Sequence, residues 1–217
     1  MTTPLSPPRV LDGHVVIEPS ILYFGTPVVL ITTENSDGTF NLAPISSVWA
    51  LGQALVLGIG ENGHTVSNLR ERPELTVCVP DASLWERVER LASLTGAFPV
   101  PPGKPAGTRF EADKFNAAGL SSVPSVTVGP PRVAECPLQF EGEAVNLGTG
   151  AAGGFVIVEV AVRRVHAAVG IVVPGTDHVD PGKWNPLIYN FRHYFGLGDQ
   201  LGHSYRSDTP NVTARCR

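Results

Sequence analysis

Asn41-Leu42-Ala43-Pro44-Ile45-Ser46-Ser47 sets small polar side chains around a proline, between two apolar runs of β character. That arrangement suits the edge of a flat, polar-rimmed ring. Ser46 and Ser47 can donate to ring carbonyls or a ring nitrogen, backbone N–H groups can face a pyrimidine edge, and Pro44 shapes the loop without doing chemistry. Eighteen residues past Ser47, Thr65-Val66-Ser67-Asn68-Leu69-Arg70-Glu71-Arg72-Pro73 reads as a helix with Thr65 as its cap and Pro73 just beyond its end. A helix N-terminus offers free N–H groups and a positive dipole end to a phosphate, and Thr65 and Asn68 add a hydroxyl and an amide. Each motif alone has an ordinary reading, a polar strand end and a capped helix. Together, with one strand (54–60) between them, they describe a mononucleotide with a planar ring, such as FMN.

The elements that must hold these residues are mostly strands. Val28 to Thr33 is a β-branched run, and Asn35-Ser36-Asp37-Gly38 carries the Asp-Gly signal of a tight hairpin, so Asn41 opens the return strand. Strand-like runs recur at 10–17, 28–33, 40–48, 54–60, 75–79, 125–128, 138–146, 155–166 and 168–173. So many short strands between Gly and Pro turns predict a mainly β fold, a closed or nearly closed antiparallel barrel with a few flanking helices. Ser83-Leu84-Trp85-Glu86 reads as a capping box opening a helix whose Leu84, Val88, Leu91 and Leu94 share a face and which Gly96 ends; this helix should lid one opening of the barrel. The proline-rich stretch 99–105 is a stiff exposed loop, and a short helix near Asp113 to Ala118 stops at Gly119. That segment is the expected rim of the site. Between residues 189 and 195 four aromatics surround Arg192 and His193, which reads either as a cofactor contact or as an amphipathic helix covering the barrel.

The ordered set Asn-x-Ala-Pro-x-Ser, a Thr-x-x-Asn helix, Lys114-Phe115 with Gly119-Leu120 after it, and Pro131-Arg132-Val133-Ala134-Glu135 resembles the flavin reductase-like, FMN-binding split-barrel family, flavoredoxins included, from about Pro19 to Gly202. The resemblance implies a Greek-key split β-barrel, a homodimer with FMN in a groove at the subunit interface, and NAD(P)H as hydride donor. It implies flavin-binding roles for Asn41, Ala43, Pro44, Ser46, Ser47, Thr65, Asn68, Leu69 and Lys114; Arg192, with His193 and Tyr194, is read from its chemistry as a contact to the nicotinamide cofactor or the phosphate from across the dimer. FAD is the alternative flavin. Members of the family often carry a lysine where this chain has His64, a departure that weakens the expected charge clamp on the phosphate unless Arg70 or a partner cation replaces it.

Composition narrows the rest. The 217 residues carry a formal charge of −4 and no basic stripe with interleaved aromatics, so a nucleic-acid surface is not expected. The stretch 48–60 is too short to span a bilayer, and neither a membrane segment nor a secretory leader is read; a reducing cytoplasm is the expected home. Cys78, Cys136 and Cys216 are far apart with no CxxC pair, which argues against a disulfide framework and a thiolate metal site. Asp177-His178-Val179-Asp180 lies between Pro-Gly pairs as a surface loop, so no metal is assigned. Gly148 to Gly154 sits between two strands and is a hairpin loop, not a dinucleotide fingerprint. One domain is expected over 10–204, between loose tails at 1–9 and 205–217.

The expected activity is an oxidoreductase that passes hydride from NAD(P)H to flavin, the protein supplying orientation and the flavin the redox chemistry. No side chain need act as acid or base, and no catalytic residue is assigned. Reduced flavin would then serve a separate monooxygenase. The alternatives are an enzyme that keeps FMN and reduces another small molecule, a flavin-binding protein without turnover, and a barrel that has lost its flavin.

Overall fold

The computed structural model describes residues 10–207; the expected tail at 1–9, residues 208–217 of the other tail, and with them Cys216, lie outside the described residues. Ten strands and three helices position the site. They are β1 (Phe24–Pro27), β2 (Val29–Glu34), β3 (Phe40–Ile45), β4 (Val48–Leu51), β5 (Ala54–Gly60), α1 (His64–Glu71), β6 (Glu74–Val79), α2 (Trp85–Ala92), α3 (Lys114–Ala118), β7 (Leu138–Thr149), β8 (Phe155–Ala167), β9 (Ile188–Asn190) and β10 (His193–Phe195). Seven of them form one antiparallel sheet in the order β3-β2-β6-β7-β8-β5-β4, and β10-β9-β1 form a smaller one.

The sheet's two edge strands, β3 and β4, are consecutive in the chain and separated only by Ser46 and Ser47. Opposite edges joined by a two-residue corner require the sheet to roll up on itself, and the Gly58 N–H closes the corner by donating to the Ser47 carbonyl at 2.7 Å. This is a split barrel: the strands close through one covalent corner rather than a continuous ladder. The expected single strand 40–48 is thus two strands meeting at the corner.

Alternation along β5 and β8 sends Leu55, Leu57, Ile59, Val156, Val158 and Val160 inward, where they meet Ile31, Leu75 and Val77. Burying each such side chain contributes about 1.5–3 kcal/mol. Val66 and Leu69 of α1 enter this same interior cluster. β2 is apolar on both faces because its outer side is covered too: Leu30, Leu42 and Cys78 pack against Val88 and Leu91 of α2 and Ala118 of α3. So α2, expected to lid the barrel, lies on its outer face, and α1 fills the interior position. The expected capping box at Ser83 is also absent, since the Asp81 carboxylate accepts from the Ser83 N–H and a 3-10 turn (Ala82–Leu84) leads into the helix, which ends at Ala92 before Gly96.

Two expected strands are not strands. Residues 168–173 hold a 3-10 turn (Val169–Ile171), and 125–128 is an irregular loop tied down by Glu141 of β7. The Glu141 side chain is fully buried and accepts from the Val126 N–H at 2.9 Å, the Thr127 N–H at 2.6 Å, the Thr127 hydroxyl at 2.5 Å and His166 Nε2 at 2.7 Å. Burial opposes its ionisation, but the Thr127 hydroxyl and these amides outweigh burial and hold the carboxyl at about 2.

Candidate functional site

Where the corner, α1, α2 and α3 converge, a cleft of about 390 Å³ opens. Of the residues expected from the sequence, Asn41, Ala43, Pro44, Ser46, Ser47, Thr65 and Lys114 line it. They divide between its two ends. Asn41 and Ile45 lie four residues apart on β3, ~13 Å by strand rise, and Ser46 and Ser47 continue beyond Ile45. A ligand filling the cleft therefore meets one chemistry near Asn41 and another near the corner.

At the Asn41 end, Lys114 Nζ donates to Asn41 Oδ1 at 3.0 Å, and Asn41 Nδ2 donates to Thr65 Oγ1 at 3.1 Å. Asp113 caps α3 and accepts from the Asn116 N–H, and Gly119 ends the helix in the left-handed region, so Lys114 is the first helical residue and is fixed in direction. Lys114 is only 4 % exposed, and among the described residues it forms no ion pair. Burial, aided by repulsion from Lys104, pulls its ammonium down to about 8. Lys104 lines the same cleft from the exposed 99–105 loop. Two cations facing one cleft, with no carboxylate lining it among the described residues, are arranged for an anion.

The helix beside them differs in detail from expectation. α1 begins at His64, with Gly63 as its cap and no side-chain capping bond, so Thr65 is its second residue. The Val66 and Ser67 N–H groups donate to the Gly63 carbonyl, and Gly63, His64 and Thr65, at the N-terminal end of the helix, line this end of the cleft. His64 donates from Nε2 to Asn35 Oδ1 at 2.9 Å; that oxygen must accept, because Asn35 Nδ2 donates to Thr39 Oγ1 at 2.9 Å. Burial, then the charges of Lys114 and Arg72, lower His64 and keep it neutral. Lys114 and Lys104 line the same cleft as His64, while Arg70 is exposed and does not line it.

Gly96 packs closely against two residues of this end of the cleft, Asn41 and His64. A Cβ there would stand 2.6 Å from Asn41 Oδ1 and 2.8 Å from His64 Cδ2, so only hydrogen fits.

Asn68 and Leu69 do not line the cleft. Asn68 is buried behind it, donating to Thr33 Oγ1 at 3.0 Å and Asn35 Oδ1 at 2.8 Å, and Leu69 packs in the interior core. Helical geometry sets this: Thr65, Asn68 and Leu69 share one face of α1, but Asn68 and Leu69 lie a turn further along it, so only Thr65, in the first turn, reaches the cleft. Arg192 is elsewhere as well, on a second cleft, at the tip of the β9–β10 hairpin where an amphipathic helix was the alternative reading.

At the corner end, Ser47 Oγ donates to the Tyr23 hydroxyl at 3.4 Å. Tyr23 begins a run of neighbouring rings: Tyr23 to Tyr189 at 5.5 Å between centroids, Tyr189 to Tyr194 at 5.3 Å, Tyr194 to Trp85 at 6.2 Å. Val88, Leu91 and Ala92 of α2 supply an apolar wall. Tyr23, Tyr189, Lys104 and this wall were not singled out from sequence; the aromatic density at 189–195 was the one available signal.

A split barrel with a two-ended cleft, cationic at one end and hydroxyl- and aromatic-lined at the other, defines a class of small-ligand-binding barrel. The comparisons define it further: the model of the flavin reductase like domain matches residues 21–198, and the chain belongs to that family. The protein YdfE of Bacillus subtilis (strain 168), itself uncharacterized, is 44% identical over 195 residues, 89% of this chain and 94% of its own. Among solved structures, nitrilotriacetate monooxygenase component B from Bacillus cereus superposes with a TM-score of 0.67 at 21% identity, covering 85% of this chain and 89% of that one. Flavoredoxin of Desulfovibrio vulgaris (Miyazaki F) gives 0.69 at 18% identity, covering 88% and 97%. These two likenesses establish the shared fold. No helix among the described residues is long and apolar enough to cross a membrane.

Proposed function

We propose that the protein is a flavin reductase that binds FMN in the cleft and reduces it with NAD(P)H. The observation that carries this reading is the buried Lys114 ammonium, held without an acidic partner at the opposite end of β3 from the Ser46–Ser47 corner. Lys114, Lys104 and the α1 N-terminus would hold the phosphate; Ser46, Ser47 and Tyr23 would orient the ring; Val88 and Leu91 would exclude water from one side of it. When bound, the flavin accepts hydride and supplies all the redox chemistry. The chain's own residues bind, orient and desolvate, which is why the cleft needs no acid–base pair.

A homodimer in the cytoplasm fits this reading. β4 turns Trp49 and Leu51 outward, 57% and 75% exposed, and β8, on the other side of β5, turns Phe155 and Ile157 outward. These exposed apolar side chains begin two residues from the Ser47 corner, and large apolar side chains turned to solvent suit an interface. The name of component B of nitrilotriacetate monooxygenase supports a further step, in which reduced flavin leaves to serve a partner monooxygenase. The test is anaerobic mixing of protein, FMN and NADH or NADPH, with oxidised-flavin absorbance followed against a protein-free control. Rapid bleaching is expected; bound FMN without accelerated bleaching would overturn the reductase reading.

A further inference from the structure

The Asn41 end of the cleft is more enclosed than the corner end. Asn41, Thr65, Thr95 and Lys114 all line the cleft, and each is 4 % exposed or less, whereas Ser46 and Ser47 are half-buried. Lys104 comes to the buried end from outside. It stands near enough to Lys114 for its charge to push that ammonium down, and among the described residues it forms no ion pair.

A shaped loop delivers this lysine. Leu94–Thr95 pairs in parallel with Arg109–Phe110, the Arg109 N–H donating to the Ser93 carbonyl at 3.0 Å and the Glu111 N–H to the Thr95 carbonyl at 2.9 Å. Residues 96–108 therefore leave and return at one neck, the form of an Ω-loop. Phe98 and Phe110 pack edge to face, their ring centroids 5.4 Å apart. Pro99, Pro101, Pro102 and Pro105 restrict the backbone, and the Thr108 N–H and hydroxyl donate to the Pro105 carbonyl at 3.1 and 2.8 Å. Gly103, with φ of 84°, turns the chain immediately before Lys104. The tip is exposed, yet its one cation is aimed into the cleft.

We propose that this loop makes the cleft selective for a flavin that ends in a phosphate monoester, FMN, against FAD, with Lys104 as the specificity-determining residue. The inference rests on the flavin reductase reading for what the cleft holds. Near neutral pH a phosphate monoester carries close to two negative charges on one phosphorus, which two converging ammonium groups match. The diphosphate of FAD spreads its charge over two phosphorus atoms, and its adenosine must continue beyond them. At this end the way onward meets buried side chains on one side and the 96–108 loop on the other. Riboflavin has no phosphate and gains nothing from either lysine.

The experiment is an ultrafiltration binding assay on the full-length protein with FMN, FAD and riboflavin in parallel, free flavin being read by its absorbance. FMN is expected to bind about a hundredfold tighter than FAD. Lys104→Ala should weaken FMN about tenfold or more, Lys104→Arg should keep most of that affinity, and riboflavin should change less than about twofold in either. Replacing residues 99–106 by two glycines, with the paired segments 94–95 and 109–110 kept, should raise FAD affinity about tenfold while FMN loses what Lys104→Ala loses. A cooperative thermal melt checks that each variant folds. FAD binding as tight as FMN in the parent protein, or an FMN-to-FAD ratio that neither Lys104→Ala nor the shortened loop changes, overturns the proposal and leaves the flavin reading standing. Binding of none of the three flavins overturns both.

Discussion

Lys114 Nζ donates to Asn41 Oδ1 at 3.0 Å across 73 residues of sequence, and this contact joins the rim helix α3 to the strand that leads to the Ser46–Ser47 corner. An ammonium has three donors, and an amide oxygen is a neutral acceptor for one of them. A buried cation so placed is destabilising in the ligand-free protein and becomes stabilising once an anion joins it.

Lys114→Met separates those two effects. Removing a charge-assisted hydrogen bond to the flavin phosphate costs about 1.5–3 kcal/mol, so FMN affinity should fall roughly 10- to 150-fold in a fluorescence titration. The flavin-free variant should melt at or above the temperature of the parent, because the desolvation penalty is gone. Unchanged FMN affinity would remove Lys114 from the phosphate site.

The same lysine sets a pH dependence. In the free protein its ammonium is pulled from the ordinary 10.5 to about 8, so between those values the unfolded chain holds a proton that the folded chain does not. Stability of the flavin-free protein should therefore rise with pH across this window. Flavin binding runs the other way. Above about 8 the site must take up a proton to engage the phosphate, and FMN affinity should weaken by up to about tenfold per pH unit. Lys114→Met should flatten both profiles, measured by urea midpoints and FMN titrations at the same pH values.

Glu141 governs the acid side. Its carboxyl is held at about 2 in the folded protein against an ordinary 4.5, so its contribution is complete above 4.5 and is lost as pH falls toward 2. Glu141→Gln should flatten that part of the stability curve. Glu141→Ala leaves His166 and the 125–128 loop without their shared acceptor and should cost about 3 kcal/mol or more in urea unfolding at neutral pH.

Strand β5 lies at Ala54–Gly60 as its apolar pattern predicts, and the Asp37-Gly38 turn joins β2 to β3. Periodicity and turn chemistry are local, so they are legible. The start of α1 was read at Thr65 because a hydroxyl residue is the usual cap, yet Gly63 takes that place and no side-chain capping bond forms. The β9–β10 hairpin escaped notice because its turn residues, Phe191 and Arg192, are neither glycine nor asparagine, while the aromatic spacing around them fits a helix face as well. Lys104 and Tyr23 join the site only through long-range folding. Burial of Lys114 is likewise tertiary: a lysine opening a five-residue helix looks solvated until β3 brings Asn41 to it.

The proposed dimer gives its own test. Light scattering should return about twice the 23.0 kDa chain mass. Leu51→Glu places a charge among the outward apolar side chains without touching the barrel interior, and it should shift the protein to monomer. If FMN affinity survives intact in that monomer, the cleft is complete within one chain.

Gly96→Ala tests the Asn41 end of the cleft without altering any charge. The added methyl would meet Asn41 Oδ1 and His64 Cδ2 at 2.6 and 2.8 Å. Both groups are held by hydrogen bonds, Asn41 to Lys114 and Thr65, His64 to Asn35. Moving either one loosens the Lys114 end while the Ser46–Ser47 corner stays in place. FMN affinity should fall about tenfold or more, at an unfolding cost of about 1–3 kcal/mol for the overpacked site. Riboflavin, which has the ring and no phosphate, should lose far less affinity than FMN in the same variant. Equal losses for the two ligands would mean that this end of the cleft does not hold the phosphate.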